Sequence, residues 1–580
     1  MSSLKNRRRK SALKNDDLYT DEIEERQKKR IGQNVSGFME DDDDFEEVEV
    51  YVPADPADIH VKIEDHENES KSGCEPDAPK EPEPAPSPPP LSEEEAEERR
   101  REIRRRMLKG KKIHRDIMLS TYFFVALFAG IIIYLGFFTY AKSDEYLANE
   151  YNSKRQSVYA DKYIRGDIVS SDGEILATTK VSEDGSEKRV YPFKNVFAHA
   201  VGYSTKGNTG IEALANSYLL GSHINPISQA ISELNGEKIP GDTVVSTINA
   251  SLQTAAYDAL GDRKGAVIVT EVKTAKVLAM VSKPDFNPNK INEIWDELVS
   301  DETNSNLVNR ATQGLYPPGS TFKIVTLLEY IRENPDTYED FTYDCDGTYE
   351  IEDYVISCSK KTEHGKQKLK EAFANSCNGA FAVIGQSLDL NALHTLCEKL
   401  GYNSAPDTNI LSSKSRYKLT KENANLWSVL QTSIGQGETL TTPLQNLLIV
   451  TAVANGGVIK KPYLIDHIET ESGSVVKTFA SETSGKVMTA SEARLLGEYL
   501  RSVVTEGTGG KAEGDGYTVA GKTGSAEWSK GKDTHAWFVG YAPYDDPEIA
   551  VSIVVEDSGS GGSVAAPIAR KIFDKYFDGN

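Results

Sequence analysis

Cysteine is scarce in this 580-residue chain, with five residues at positions 74, 345, 358, 377 and 397. None belongs to a Cys-x-x-Cys pair, and the nine histidines form no cluster along the sequence. A disulfide-built scaffold is therefore excluded and a zinc site is unexpected; no metal and no cofactor are expected. Positive charge is also in deficit: 66 Lys and Arg stand against 89 Asp and Glu, for a formal net charge of −23 and a pI of about 5.0. General nucleic-acid binding does not fit that balance. Long apolar runs are missing too, with a single exception.

The exception is Ile117 to Tyr140, which contains no charged residue. About 20 apolar residues in a helix span a bilayer core, and Tyr122, Phe123, Phe124, Phe137, Phe138 and Tyr140 supply aromatic belts at its ends. The Lys/Arg excess lies on the N-terminal side, in Arg104-Arg105-Arg106, Lys109, Lys111, Lys112 and Arg115. The positive-inside rule then puts residues 1–116 in the cytoplasm and 141–580 outside. The run begins late and ends in Thr139-Tyr140 rather than in small residues, so it reads as an uncleaved anchor.

Around this anchor the chain divides by composition. Residues 1–91 combine basic patches, an acidic run from Glu40 to Asp44 and a Pro-rich tract from Pro76 to Pro90, and are expected to be an unstructured cytoplasmic tail. Ser92-Glu93-Glu94-Glu95 reads as a capping box opening a charged juxtamembrane helix over 92–116, followed by the membrane helix over 117–140. A short extracytoplasmic segment, 141–240, has two short strands about the Ser171-Asp172-Gly173 turn. Residues 241–580 form the largest region. It has an early hairpin, Gly265–Val269 with Val277–Val281, then helices over 320–333, 366–386, 391–400 and 424–431. Strands return near 518–526, 535–541 and 548–555, before a last helix from Ala565 to Tyr576. Strands at both ends with helices between imply an α+β fold whose antiparallel sheet is closed by distant parts of the chain.

Chemistry concentrates at Tyr316-Pro317-Pro318-Gly319-Ser320-Thr321-Phe322-Lys323. A Pro-Pro-Gly turn runs into an apolar helical stretch, which puts Ser320 at a helix start and Lys323 on the same face. A serine hydroxyl needs a base to become a nucleophile, and a desolvated lysine amine can serve. Ser-x-x-Lys alone recurs in unrelated chains. Here Ser376-Cys377-Asn378 and Lys522-Thr523-Gly524 follow it in order, and that trio is the signature of penicillin-binding proteins and serine β-lactamases.

The flanks extend the match: Asn309-Arg310-Ala311-Thr312, Ser433-Ile434-Gly435-Gln436-Gly437, Thr441-Thr442-Pro443, and His535 to Pro543 after the third motif. On these residues the 241–580 region resembles the penicillin-binding transpeptidase domain, and the layout with Arg165-Gly166-Asp167-Ile168 at the start of a pedestal resembles a class B, monofunctional penicillin-binding protein. The resemblance implies Ser320 as nucleophile toward the bond between two D-alanines of a peptidoglycan stem peptide, with Lys323 as its base and Ser376 and Lys522 as a proton relay. It implies an oxyanion hole from the N–H groups of Ser320 and Ser525. The hydroxyls of Thr523 and Ser525, with the positive charge of Lys522, would hold the terminal carboxylate, Gly524 would be part of the same substrate-binding segment, and Asn378 would bind the substrate amide. β-Lactams would acylate the same serine, and a separate glycosyltransferase would supply glycan strands. The third motif continues with Ser525 where threonine is common, which retains a hydroxyl.

Three other readings compete. A β-lactamase shares the nucleophile, but no Glu-x-x-Leu-Asn segment stands between the second and third motifs. A membrane β-lactam sensor would signal rather than cross-link, and usually carries several membrane helices. A bifunctional synthase needs a glycosyltransferase domain, for which 141–240 is too short. Cys377, between Ser376 and Asn378, is expected to be a small buried side chain turned from the cleft. Cys345 and Cys358 flank a hairpin-like stretch on the oxidising side and are candidates for a disulfide.

Overall fold

The computed structural model describes residues 92–147 and 162–579; the expected tail, residues 1–91, lies outside the described residues. Helix α1, Glu93–Leu147, is one continuous element. It opens as its sequence dictates: the Glu95 amide donates to Ser92 Oγ (3.4 Å) and the Ser92 amide donates to Glu95 Oε2 (3.1 Å). Within it, Ile117–Phe138 is long and apolar enough to cross a membrane.

A six-stranded sheet follows, in the spatial order Val475–Thr478, Ile465–Glu469, Thr243–Ser246, Ile168–Val169, Ile175–Val181, Glu187–Val190. Ile168 lies parallel to Val244, and Ile468 antiparallel to the same residue, so the edge built from residues 165–190 and the late hairpin share one central strand. Two strands from the far end of the sequence thus join this sheet. The Ser171-Asp172-Gly173 turn forms as expected, with the Ser170 amide donating to Glu174 O at 2.8 Å. Beneath the sheet Glu212 is fully buried. It accepts from Arg165 Nε (2.6 Å), Arg189 Nε (2.8 Å) and the Tyr191 hydroxyl (3.0 Å). A buried carboxylate persists only when paired and hydrogen-bonded in this way. Arg165 also donates to Asn216 Oδ1 at 2.7 Å.

The second sheet has five strands: β1 (Gly265–Glu271), β2 (Val277–Lys283), β3 (Ala520–Ala526), β4 (His535–Ala542) and β5 (Ile549–Val555). Their spatial order is β3-β4-β5-β1-β2, antiparallel throughout, so chain segments from both ends of the region meet at β5–β1. Successive residues face opposite sides. Val267, Val269, Phe538 and Ile553 pack with helix α2 (Ala250–Leu260) and with the last helix, Ala565–Asp578, through Leu252, Ala256, Ile572 and Phe573. Ala266, Ile268, Trp537 and Val554 face the other way, toward Leu447 and Val450 of the apolar helix Pro443–Ala454. Burial on both faces accounts for strands that read as continuous apolar runs rather than as alternations.

Two helical expectations change in detail. The run over 320–333 begins as a 3-10 turn, Gly319–Thr321, before helix α3, Lys323–Glu333. The single helix expected over 366–386 is three elements: a strand Gly365–Lys368, a short helix Leu369–Ala374 and helix α4, Asn378–Ser387. The break falls at Ser376, which sits at φ +55°. A non-glycine residue there is held by its surroundings rather than by its own preference.

Candidate active site

The turn before α3 is fixed from three sides. The Gly319 amide donates to Gly435 O (2.8 Å), Trp537 Nε1 of β4 donates to Pro317 O (3.1 Å), and Tyr316 pairs through its backbone with Thr441 (2.8 and 2.9 Å). Gly319 has φ +54°, and a Cβ there would lie 2.9 Å from Ser525 O. Glycine is therefore required both for the conformation and for the close approach of this turn to β3. A Cβ on Gly435, at φ +78°, would lie 2.0 Å from Gly319 O. The Pro-Pro-Gly-Ser and Ser-Ile-Gly-Gln-Gly segments are thus two halves of one contact. The amide of Gln436 pairs with the Glu527 backbone, donating to its carbonyl (3.0 Å) and accepting from its N–H (3.2 Å), just beyond β3.

Ser320 is left partly exposed at the head of α3, while Lys323, one turn on, has no exposed surface. The Lys323 amine donates to Asn378 Oδ1 (2.7 Å), Ser376 O (2.8 Å) and Ser376 Oγ (3.3 Å). The second motif is therefore folded directly onto the first, and the kink at Ser376 turns both its carbonyl and its hydroxyl toward the amine. The Asn378 side-chain amide also donates to Ser357 O at 2.8 Å, joining α4 to the neighbouring strand Tyr354–Ser357. Lys522, from the third motif, is equally buried, and its amine donates to Thr523 O at 3.1 Å.

The two amines converge on two touching rings. Lys323 Nζ lies 5.2 Å from the Phe381 centroid and Lys522 Nζ 5.5 Å from that of Phe373, and the ring centroids are 6.0 Å apart. Burial pushes the Lys323 amine down to about 8. Lys522 is held well below the usual lysine range by burial and then by the charge of Lys323. Among the described residues no carboxylate offsets either shift, and the Cys377 and Cys358 thiols offset that of Lys323 only in part. A buried amine without a counter-ion is poised to give and take a proton near neutral pH.

The remaining expected positions lie along β3. Thr523 Oγ1 shares a hydrogen bond with Thr508 Oγ1 at 2.5 Å. Ser525 Oγ accepts from the Gly561 amide at 3.4 Å. Gly524 packs face to face with the turn: a Cβ on it would meet Pro318 O and Thr321 Cγ2, each at 3.2 Å. All eight expected residues, Ser320, Lys323, Ser376, Asn378, Lys522, Thr523, Gly524 and Ser525, lie on or beside this junction of turn, α4 and β3.

Sequence reasoning missed Thr508, whose signal was the surrounding Gly507 and Gly509-Gly510. It also missed the loop at Gly561-Gly562, where a Cβ on Gly561 would lie 2.5 Å from Gly524 O. Cys377 is buried as expected, capping α4 by accepting from the Ala380 amide (3.5 Å). The disulfide is a correction. Cys345 and Cys358 are both free, their sulfurs 3.7 Å apart, far beyond the roughly 2.0 Å of an S–S bond.

Residues 265–574 match the family model described as penicillin binding protein transpeptidase domain, and residues 165–244 that of the penicillin binding protein A dimerisation domain. The chain is 31% identical over 453 residues to the peptidoglycan D,D-transpeptidase PbpA of Mycolicibacterium smegmatis, covering 72% of this chain and 90% of that protein. It is 30% identical over 431 residues to the peptidoglycan D,D-transpeptidase MrdA of Haemophilus influenzae, covering 66% of this chain and 64% of that one. Among solved structures, the D,D-transpeptidase domain of a peptidoglycan glycosyltransferase from Eggerthella lenta superposes with TM-score 0.65 at 32% identity, covering 72% of this chain and 99% of that one. The ceftriaxone acyl-enzyme of penicillin-binding protein A from M. tuberculosis gives 0.66 at 28% identity, with the same coverage.

Proposed function

Because the chain belongs to the penicillin-binding protein transpeptidase family, and to its class B branch of peptidoglycan D,D-transpeptidases, we propose that it is a membrane-anchored cross-linking enzyme whose acyl-enzyme forms on Ser320. The observation that carries the residue assignment is the burial of the Lys323 amine, without a carboxylate, on Ser376 and Asn378 of the second motif one turn from Ser320, with a second buried amine, Lys522, on the third motif.

Ser320 Oγ attacks the carbonyl between the two terminal D-alanines, and its proton passes to the neutral Lys323 amine. The oxyanion that forms is held by the N–H groups of Ser320 and Ser525; one such donor is worth on the order of 10²–10³ in rate. The C–N bond breaks, and the leaving amine takes a proton relayed through Ser376 from the lysines, releasing D-alanine. An amine from a neighbouring stem peptide then attacks the ester, gives up a proton along the same route and frees Ser320 as the cross-link forms. Lys522, Thr523 and Ser525 hold the terminal carboxylate, and Asn378 the donor peptide's amide. α1 anchors the enzyme, with the Arg- and Lys-rich side in the cytoplasm and the catalytic region outside. A glycosyltransferase partner supplies the glycan strands, and β-lactams acylate Ser320 in place of the stem peptide.

The test is acylation of the full-length protein in detergent by labelled penicillin, followed by peptide mapping. A slowly hydrolysed adduct on Ser320, absent from Ser320→Ala, is expected. An adduct on another residue, or rapid drug turnover, overturns the assignment.

A further inference from the structure

Three of the four cysteines among the described residues end up together. Cys345 closes the strand Thr342–Cys345, Cys358 follows the strand Tyr354–Ser357, His364 precedes the strand Gly365–Lys368, and Cys377 caps α4. Antiparallel pairing of Cys345 with Gly365 sets His364 beside Cys345. The kink at Ser376 drops Cys377 against Cys358. The three thiols are buried and His364 is half-buried. Their four ligand atoms all lie within 4.8 Å of one another.

Three of the six separations are those of a coordination tetrahedron, and the other three lie within 4.8 Å. Cys345 Sγ is 3.7 Å from Cys358 Sγ, which is 3.8 Å from Cys377 Sγ, and Cys345 Sγ is 3.3 Å from His364 Nδ1. Zinc at about 2.3 Å from sulfur and about 2.0–2.1 Å from nitrogen requires S···S edges of about 3.8 Å and S···N edges of about 3.5 Å. Three thiols and one imidazole converging at these separations match the Cys₃His set of closed structural sites. A disulfide would bring two sulfurs together and leave the third thiol and the imidazole without a role.

We propose that Cys345, Cys358, His364 and Cys377 bind one structural Zn²⁺ ion that clamps the strands of residues 342–368 to the start of α4. Binding displaces the thiol protons, so the ion is held by three thiolates and a neutral imidazole, with no redox change. His364 borders a surface cleft lined by Asp346, Thr348 and Glu363, which provides a route for the ion. The site adjoins the proposed catalytic centre through covalent bonds: Cys377 sits between Ser376 and Asn378, both of which hold the Lys323 amine. The ion is not among the reacting groups; it is a positioning element for the second motif, a role that rests on the assignment of Ser320 and Lys323 above. Zinc binding itself does not depend on that assignment.

Full-length protein purified in detergent under reducing conditions should carry one zinc per chain by elemental analysis. Replacement by Co²⁺ should produce thiolate-to-cobalt absorption in the near ultraviolet and the intense visible bands of tetrahedral coordination. His364→Ala and Cys358→Ser should each weaken zinc affinity by more than about 10²-fold, since loss of an outer-shell partner alone costs about 10–100-fold. Cys397→Ala, at a buried cysteine outside the cluster, should keep full occupancy. Stripping zinc should slow labelled-penicillin acylation about tenfold, with recovery on adding zinc back. Zinc-free native protein that gives no cobalt spectrum, or a Cys345–Cys358 disulfide in the native chain by mass mapping, overturns the proposal. Full zinc occupancy with acylation indifferent to its removal overturns the positioning role. An altered Ser320 adduct with zinc intact would instead count against the catalytic assignment.

Discussion

Two buried charge clusters in this molecule solve opposite problems. In the first, Glu212 has no exposed surface, yet Arg165, Arg189 and Tyr191 direct four hydrogen-bonding groups at it and its own carbonyl. Burial pushes its carboxyl upward, but the two guanidinium charges outweigh that and hold it below the usual glutamate range. In the second cluster, Lys323 and Lys522 have the same lack of exposure, with carbonyls, a hydroxyl, an amide oxygen and phenyl rings around them, the Cys377 and Cys358 thiols near Lys323, and no carboxylate among the described residues. Both amines are driven toward neutrality. Compensation marks a cluster that fixes structure; its absence marks one that keeps a proton loosely held. Glu212, Arg165 and Arg189 bind the segment after the anchor to itself.

The contrast is broken most sharply by removing one charge from each cluster. Lys323→Met should lower the rate of Ser320 acylation by about 10²–10⁴-fold, the worth of a positioned proton acceptor, while the melting temperature stays level or rises. That asymmetry follows because replacing a desolvated, uncompensated cation by an apolar chain of similar volume relieves its burial. A large drop in melting temperature would make Lys323 structural and erase the distinction. Glu212→Gln should do the reverse. It leaves two guanidinium groups buried without a counter-charge, so a loss of about 3–5 kcal/mol is expected, read as a lower denaturant midpoint. The acylation rate per folded molecule should stay within about twofold of the parent. An acylation defect in the folded protein would show that the two clusters are coupled.

How far each region could be read from the sequence follows the same division. Each of the three motifs is a contiguous run of chemically distinctive residues, and the hairpin Gly265–Val269 with Val277–Val281 and the strands β3 to β5, the first of which carries the third motif, form where they were expected. Their convergence was implied by the family resemblance that the three motifs carry together. The kink at Ser376 was not, since neither glycine nor proline announces it and the flanking Leu369–Ala374 and α4 are both good helices. The strands Ile465–Glu469 and Val475–Thr478 were also hidden, because their partner Thr243–Ser246 lies far away in sequence and local periodicity cannot register such pairing. The cysteine–histidine cluster escaped for a related reason. Its members are separated by 13 and 19 residues and meet only through strand pairing and that same kink.

The mildest way to sharpen the contrast leaves the sequence intact and moves the pH. Lys323 titrates near 8 in the folded protein and near 10.4 when unfolded. Below 8 both states carry the proton and the burial cost is felt in full; between these values the unfolded chain binds more protons, so stability rises with pH. Glu212 works at the acid end. Its carboxyl is held below its unfolded value, so its contribution is complete above about pH 4.3 and is lost as pH falls through the folded value. Acylation needs the neutral amine, whose fraction rises about tenfold from pH 7 to 9 around a midpoint of 8. The second-order rate of β-lactam acylation should therefore climb to a plateau with an inflection near 8, across a range where the Glu212 cluster does not change charge and the fold stays intact. An inflection below 6, or a flat profile between 6 and 10, would mean that Lys323 does not take the proton from Ser320, and the two clusters would then differ in composition but not in purpose.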